Sequence, residues 1–223
     1  MSHRPVPRLF LIRHGQTEWS QNGRHTGRSD IPLTRKGEEI ILSHNKQIIG
    51  DDKLIKPTNL THVLVSPRQR AQKTFHLLFS SLPADCMPAY TTTEDVREWD
   101  YGEYEGLTTP QITETRPGWD IWNDGCPGGE SPEDITRRID RVIAQIHEWH
   151  REWYEEGKGR RDCMIVAHAH ILRSLVSRWV EFPIKLGTHF NIEPAGVTIL
   201  TYNHSSLAEP ALIALNLFAN HDV

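Results

Sequence analysis

The feature that most constrains this chain is a series of short apolar runs, Arg8 to Ile12, Val63 to Ser66 and Cys163 to Ala167, separated by amphipathic stretches. Runs of this length, bounded by polar punctuation, read as buried strands. Thr34 to about Ile49 predicts a helix, with Thr34 as N-cap and Ile40, Ile41, Ile48 and Ile49 on its apolar face. Pro67 to about Phe79 predicts a second, with proline in the first turn, where a missing N–H does no harm. Ser131-Pro132-Glu133-Asp134 is a helix start by its cap, its proline and its acidic first turn. Ile135, Ile139, Val142, Ile146, Trp149 and Trp153 continue that helix along one face, and the stripe reads as core packing. A helix from about Ala169 to Val180 follows the third run. Val197 to Tyr202 and Ala211 to Leu217 then close the chain as two strands around Asn203–Pro210. The alternation predicts one α/β domain over 1–223, with helices on both faces of a mostly parallel sheet. The stretch 82–129, rich in Pro, Gly and Thr, is expected as a long excursion over the site.

Charge removes some functions. Lys plus Arg number 25 against 29 Asp plus Glu, a net charge of −4. That balance is not the basic one that phosphate-backbone binding requires, so nucleic acid is not an expected partner. No apolar run approaches the ~20 residues of a membrane span. The basic start, Met1 to Arg8, leads into a run too short for a signal-peptide core. Cys86, Cys126 and Cys163 are odd in number and share no CxxC spacing, which suggests neither a disulfide framework nor a thiolate zinc site. A reduced, cytoplasmic setting is the expectation.

In such folds ligands sit beyond the carboxyl ends of the strands. The first run exits into Arg13-His14-Gly15-Gln16-Thr17 and the second into Ser66-Pro67-Arg68-Gln69-Arg70. The third exits into His168-Ala169-His170, with Arg173 following in the same helix. The planar fork of arginine suits phosphate. A neutral histidine can attack phosphorus, and a cationic one can stabilise the transferring oxygens. One His or Arg at a strand end is ordinarily a solvated polar residue. The same chemistry at all of these exits points to a phosphate-directed site.

Leu11-Ile12-Arg13-His14-Gly15-Gln16-Thr17 resembles the RHGxT signature of the histidine phosphatase superfamily, also called phosphoglycerate-mutase-like. The similarity continues at Gly23-Arg24-His25-Thr26-Gly27, at Pro32-Leu33-Thr34 with Gly37, and at Ser66 to Thr74. It recurs at Arg97 to Gly102 with Glu105-Gly106, and at His168 to Arg173, so it spans nearly the whole chain in the family's order. The resemblance implies a three-layer α/β/α sandwich and a metal-independent phosphomonoesterase with no cofactor, acting on a small phosphate ester through a phosphohistidine. It implies His14 as nucleophile, Arg13, Arg70 and His168 as the rest of the phosphate pocket, and Glu98 as the general acid. The 13 histidines are not organised by any HExxH or carboxylate cluster.

Within the superfamily, the Arg97–Gly102 run, Asp124-Gly125-Cys126 and Tyr202…His204…Glu209-Pro210-Ala211-Leu212 resemble fungal sedoheptulose-1,7-bisphosphatase-like phosphatases. That comparison implies substrate contacts at His25, Thr26, Tyr101, Arg173 and His204, and sugar phosphates or bisphosphates as substrates. Two departures stand out. The connection from Val180 to Ala195 is short where that subgroup carries a long insertion. Ala169 stands where the family has Gly, and its methyl is a threat to the pocket's width or to the placement of His168. Two other functions fit the same pattern less well. A phosphoglycerate mutase carries Arg directly after the acidic residue, whereas Glu98 is followed by Trp99 and Asp100, and Leu107 to Pro127 holds Arg116 as its only Lys or Arg. A catalytically weak protein-binding scaffold has no physical reason to keep His14, Arg13, Arg70, His168 and Glu98 together.

Overall fold

The computed structural model describes residues 4–219. Residues 1–3 and 220–223, which include the start of the basic N-terminal arm and both ends of the expected 1–223 domain, lie outside the described residues. In chain order the elements are β1 (Arg8–Arg13), α1 (Glu18–Asn22), α2 (Arg35–Ile48), β2 (Leu60–Val65), α3 (Gln69–Leu78) and β3 (Thr91–Thr92). There follow α4 (Thr109–Thr115), α5 (Ile121–Asp124), α6 (Pro132–Arg151), β4 (Asp162–Ala167), α7 (Ala169–Trp179), β5 (Val197–Tyr202) and β6 (Pro210–Leu217).

The strands form one sheet in the order β3-β2-β4-β1-β5-β6. β3, β2, β4 and β1 are parallel, β5 runs against β1, and β6 runs against β5. Only β5 therefore opposes the rest, and the sheet is mostly parallel. The period of two along each strand divides its side chains between two cores. Leu9 and Leu11 of β1, with Cys163, Ile165 and Ala167 of β4, join a core built with α6 and α7. Phe10 and Ile12, with Met164 and Val166, join the opposite core with α2 and α3. Three layers result because both faces of β1 and β4 are apolar, as strands covered on both sides require.

The differences from the sequence reading have local causes. α3 starts at Gln69, with Arg68 as its extended N-cap, so Pro67 lies before the cap rather than in the first turn. β2 starts at Leu60, and its leading residues Thr61 and His62 are only half-buried, which hid them from an apolar pattern. The stripe on α6 is core as far as Ile146. Trp149 is at the margin, stacked on His62 with ring centroids 3.9 Å apart. Trp153 falls in the π turn beyond α6, and its indole N–H donates to the Pro5 carbonyl.

The stretch 82–129 is fastened to α6 around a buried ion pair. Arg138 on α6 is 4% exposed and donates to both carboxylate oxygens of Glu130, at 3.0 and 2.8 Å. It also donates to the carbonyls of Asp95 and Arg97, while Glu130 accepts the backbone N–H of Asp100. Arg138 thus fixes both sides of residue 98. Replacing it with Met leaves Glu130 buried with only Arg97 as a charged partner. Arg138→Met is expected to destabilise the fold by about 3–5 kcal/mol in urea unfolding. A loss under 1 kcal/mol would mean the segment is held by its apolar contacts alone.

Candidate active site

The carboxyl ends of β1, β4 and β2 meet because their ladder continues one residue past the strands. His14 donates its backbone N–H to the Ala167 carbonyl at 2.9 Å, and Ser66 donates to the Val166 carbonyl at 3.0 Å. A cavity of about 390 Å³ opens above them. Arg13, His14 and Glu98 are among its lining residues, as are His25, Thr26, Tyr101, Trp119, Trp122, His170 and Arg173.

His14 has a defined tautomer. Its Nδ1 lies 2.7 Å from the Gly15 carbonyl, and a carbonyl only accepts, so Nδ1 carries the proton. Nε2 therefore holds the free lone pair. Burial, with the charges of Arg70 and Arg13 adding to it, pushes the ring well below the ordinary histidine value and keeps it neutral. Beside it, His168 is wholly buried, with ring centroids 5.1 Å apart. Arg70 Nε donates to His168 Nδ1 at 3.1 Å, so the neutral ring carries its proton on Nε2 and donates to Ser66 Oγ at 2.7 Å. Burial first and Arg70 second hold His168 well below its ordinary value too.

Arg13 donates to the Ile192 carbonyl at 2.7 Å, while its buried Nε has no partner. Glu98 is anchored by three backbone amides. Oε1 accepts from Trp99 and Ile171, both at 2.9 Å, and Oε2 accepts from His170 at 3.0 Å. Two of these donors belong to the first turn of α7, whose N-cap His168 makes no capping bond. The side chain of Glu98 therefore supplies the missing cap, accepting two of the free amides of that turn.

Seven of the ten residues singled out from sequence line the cavity: Arg13, His14, His25, Thr26, Glu98, Tyr101 and Arg173. Arg70 and His168, both 0% exposed, stand one layer behind its wall. His204 corrects the sequence reading. It lies in the turn after β5, the strand that runs against β1, and so sits at the opposite end of the sheet from His14. There its side chain is 83% exposed and pairs with Glu209. Ala169 opens α7 with an ordinary negative φ, so the backbone there does not require glycine, and the residue lines the cavity. The short 181–195 connection contributes a 3-10 turn, Ile184–His189, whose Gly187 and Thr188 carbonyls accept from Arg173 at 3.1 and 3.0 Å. Glycine is needed at 187, since a Cβ there would lie 2.6 Å from the Trp122 ring.

Several lining residues were not singled out. His170 was visible in its motif but had no role; its Nδ1 lies 2.8 Å from the Tyr101 hydroxyl. Trp119 and Trp122 came from a stretch without periodicity, and Arg173 stacks over Trp122 at 5.0 Å.

Residues 9–212 match the histidine phosphatase superfamily (branch 1). The chain is 33% identical to sedoheptulose 1,7-bisphosphatase of Saccharomyces cerevisiae, over 93% of this chain and 92% of that protein. It is 36% identical to an acid phosphatase of Mycobacterium tuberculosis, over 88% and 87%. The solved structure of an open-reading-frame product of Mycobacterium tuberculosis superposes with a TM-score of 0.78 at 35% identity, over 95% of this chain and 97% of that one.

The cluster of neutral imidazoles sets the response to acid. His14, His168 and His170 are all held well below 6.5, chiefly by burial, and His25 is lowered as well. The unfolded chain takes up protons as pH falls through about 6.5, whereas the folded chain does not. This stabilisation is therefore complete above that value and is lost as pH falls below it. The urea midpoint is expected to drop between pH 7.5 and pH 5.5. A midpoint that stays level or rises would contradict the burial of these rings in their neutral form.

Proposed function

We propose, on the premise that this chain belongs to branch 1 of the histidine phosphatase superfamily, that it is a metal-independent phosphomonoesterase of small phosphorylated sugars working through a phosphohistidine. The observation that carries the reading is the tautomer of His14: a neutral ring with Nδ1–H bonded to a carbonyl and Nε2 bare beside a buried arginine.

In the first step the Nε2 lone pair attacks phosphorus and the ester P–O bond breaks. Arg13 neutralises the transferring oxygens, and Arg70 adds its field from one layer behind. Glu98 gives a proton to the leaving oxygen; its Oε2 accepts a single amide bond and keeps a site for that proton. In the second step water attacks phosphorus, the P–N bond breaks and the water's proton passes to Glu98. His168 serves by orienting Arg70 through their shared hydrogen bond. Guanidinium charge takes the place a metal would have, and among the described residues no group of three or more His, Cys, Asp or Glu is placed to hold an ion.

Sugar phosphates suit the rest of the cavity. Trp119 and Trp122 offer aromatic wall, while Thr26, His25, Tyr101, His170 and Arg173 offer polar atoms to hydroxyls or to a second phosphate. The name of the yeast relative, a sedoheptulose bisphosphatase, favours the same class, and that of the mycobacterial one, an acid phosphatase, favours phosphate release. We read the chain as one domain over 1–223, with 82–129 as the wall-forming excursion, and as a cytoplasmic enzyme whose ligands are not nucleic acids. Among the described residues no helix is long and apolar enough to cross a membrane.

A screen of phosphorylated metabolites is expected to show phosphate release from sugar mono- and bisphosphates, with the activity unchanged after exhaustive EDTA treatment. Incubation with 3-phosphoglycerate and catalytic 2,3-bisphosphoglycerate is expected to yield little 2-phosphoglycerate. Rapid isomerisation, or a loss on EDTA restored by magnesium or zinc, would overturn the reading.

A further inference from the structure

Thr74 lies on α3 and is wholly buried. Its hydroxyl donates to the Arg70 carbonyl four residues earlier, at 2.7 Å. That bond is routine for threonine within a helix. The second bond is not: Thr74 Oγ1 accepts the backbone N–H of Gly15 at 3.0 Å, from a loop 59 residues away in sequence. Gly15 is the residue whose carbonyl holds the Nδ1 proton of His14.

Gly15 is clamped from two sides. Thr74 holds its N–H from the side of α3. On the other side the start of α2 bears on the next residue: the Gln16 carbonyl accepts the Thr34 backbone N–H at 2.8 Å, and a Cβ on Gly37 would come within 2.5 Å of the same oxygen. The peptide that carries the Gly15 carbonyl is thus held between two anchors, and in that arrangement the carbonyl faces the imidazole.

We propose that Thr74 is a positioning residue for His14. By holding the Gly15 N–H it aims the Gly15 carbonyl at Nδ1, fixes the Nδ1–H tautomer and leaves Nε2 as the bare nitrogen. The donor half of the same hydroxyl ties this arrangement to the turn of α3 that carries Arg70, so nucleophile and buried cation keep register. Thr74 does not line the cavity. Its loss acts on the fraction of His14 that is ready to attack, and leaves substrate binding alone. The inference rests on His14 being the nucleophile, and the controls separate the two.

The test compares wild type, Thr74→Ser, Thr74→Val and His14→Ala on an aryl phosphate, with thermal unfolding and the ¹⁵N signals of His14 recorded alongside. Thr74→Val is expected to lower kcat by roughly ten- to a hundred-fold, by analogy with loss of the outer partners that orient metal-bound histidines, with KM within about two-fold of wild type. Its His14 signals are expected to show both neutral tautomers. Thr74→Ser keeps the hydroxyl and is expected to keep both the kcat and the single tautomer; a merely structural role would not give that rescue. If Thr74→Val does not fold, Thr74→Ala is read in its place. Wild-type kcat in the folded hydroxyl-deleted variant while His14→Ala is inactive would overturn the positioning role alone. So would an unchanged tautomer, or a loss in Thr74→Ser as deep as in Thr74→Val. Turnover surviving in His14→Ala would overturn the nucleophile, and the positioning role with it.

Discussion

Arg70 is a fully buried guanidinium whose donors reach three residues in two other parts of the chain. Nε donates to His168 at the exit of β4, and the terminal nitrogens donate to the carbonyls of Ser29 and Thr26, both at 2.9 Å. A charge so far from water is tolerable only when its polar partners are in place. Burial lowers its pKa, and Glu98 is the first of the charges that oppose this. Satisfying Arg70 draws the loop that carries His25 and Thr26 down onto α3 and fixes the ring of His168. The same charge then reaches the two imidazoles, where after desolvation it is the largest influence holding both neutral. Folding and chemistry thus lean on one group, since the interaction that closes the site also keeps the His14 lone pair free.

Glu98 has a comparable double part. Three amides hold it, two of them from the start of α7, so the excursion is fastened to the helix that follows β4. The Arg138–Glu130 pair fastens the same excursion to α6 from the other side. The wall of the cavity is therefore positioned by hydrogen bonds to regular elements, although 82–129 itself contains only short ones. Rigid support of this kind is what a site needs if reacting groups are to be held in a narrow range of geometry.

The sequence showed the scaffold well because its signals are local. Apolar runs, the Ser131 cap and the motifs at the strand exits are all read within a few residues, and they placed His14, Arg13, Arg70 and His168 at the right ends of the right strands. Depth was not legible: nothing in Ser66 to Arg70 says that Arg70 turns inward while Arg68 caps the helix. His204 went astray because its motif carries no information on strand direction, and β5 is the one strand that runs the other way. Trp119 and Trp122 come from a stretch with no period to read. The bond from Gly15 to Thr74 joins residues far apart in sequence, so only the folded chain reveals it.

The central claim is that the Nε2 lone pair of His14 receives the phosphoryl group. It is tested most directly by rapid quenching of a single turnover into base, followed by peptide mapping of the labelled protein. The phosphoryl group is expected to be stable in base and labile in acid, carried on Nε2 of His14 and formed faster than phosphate is released. A single turnover that releases phosphate with no label on the protein, or with label on another residue, would contradict it.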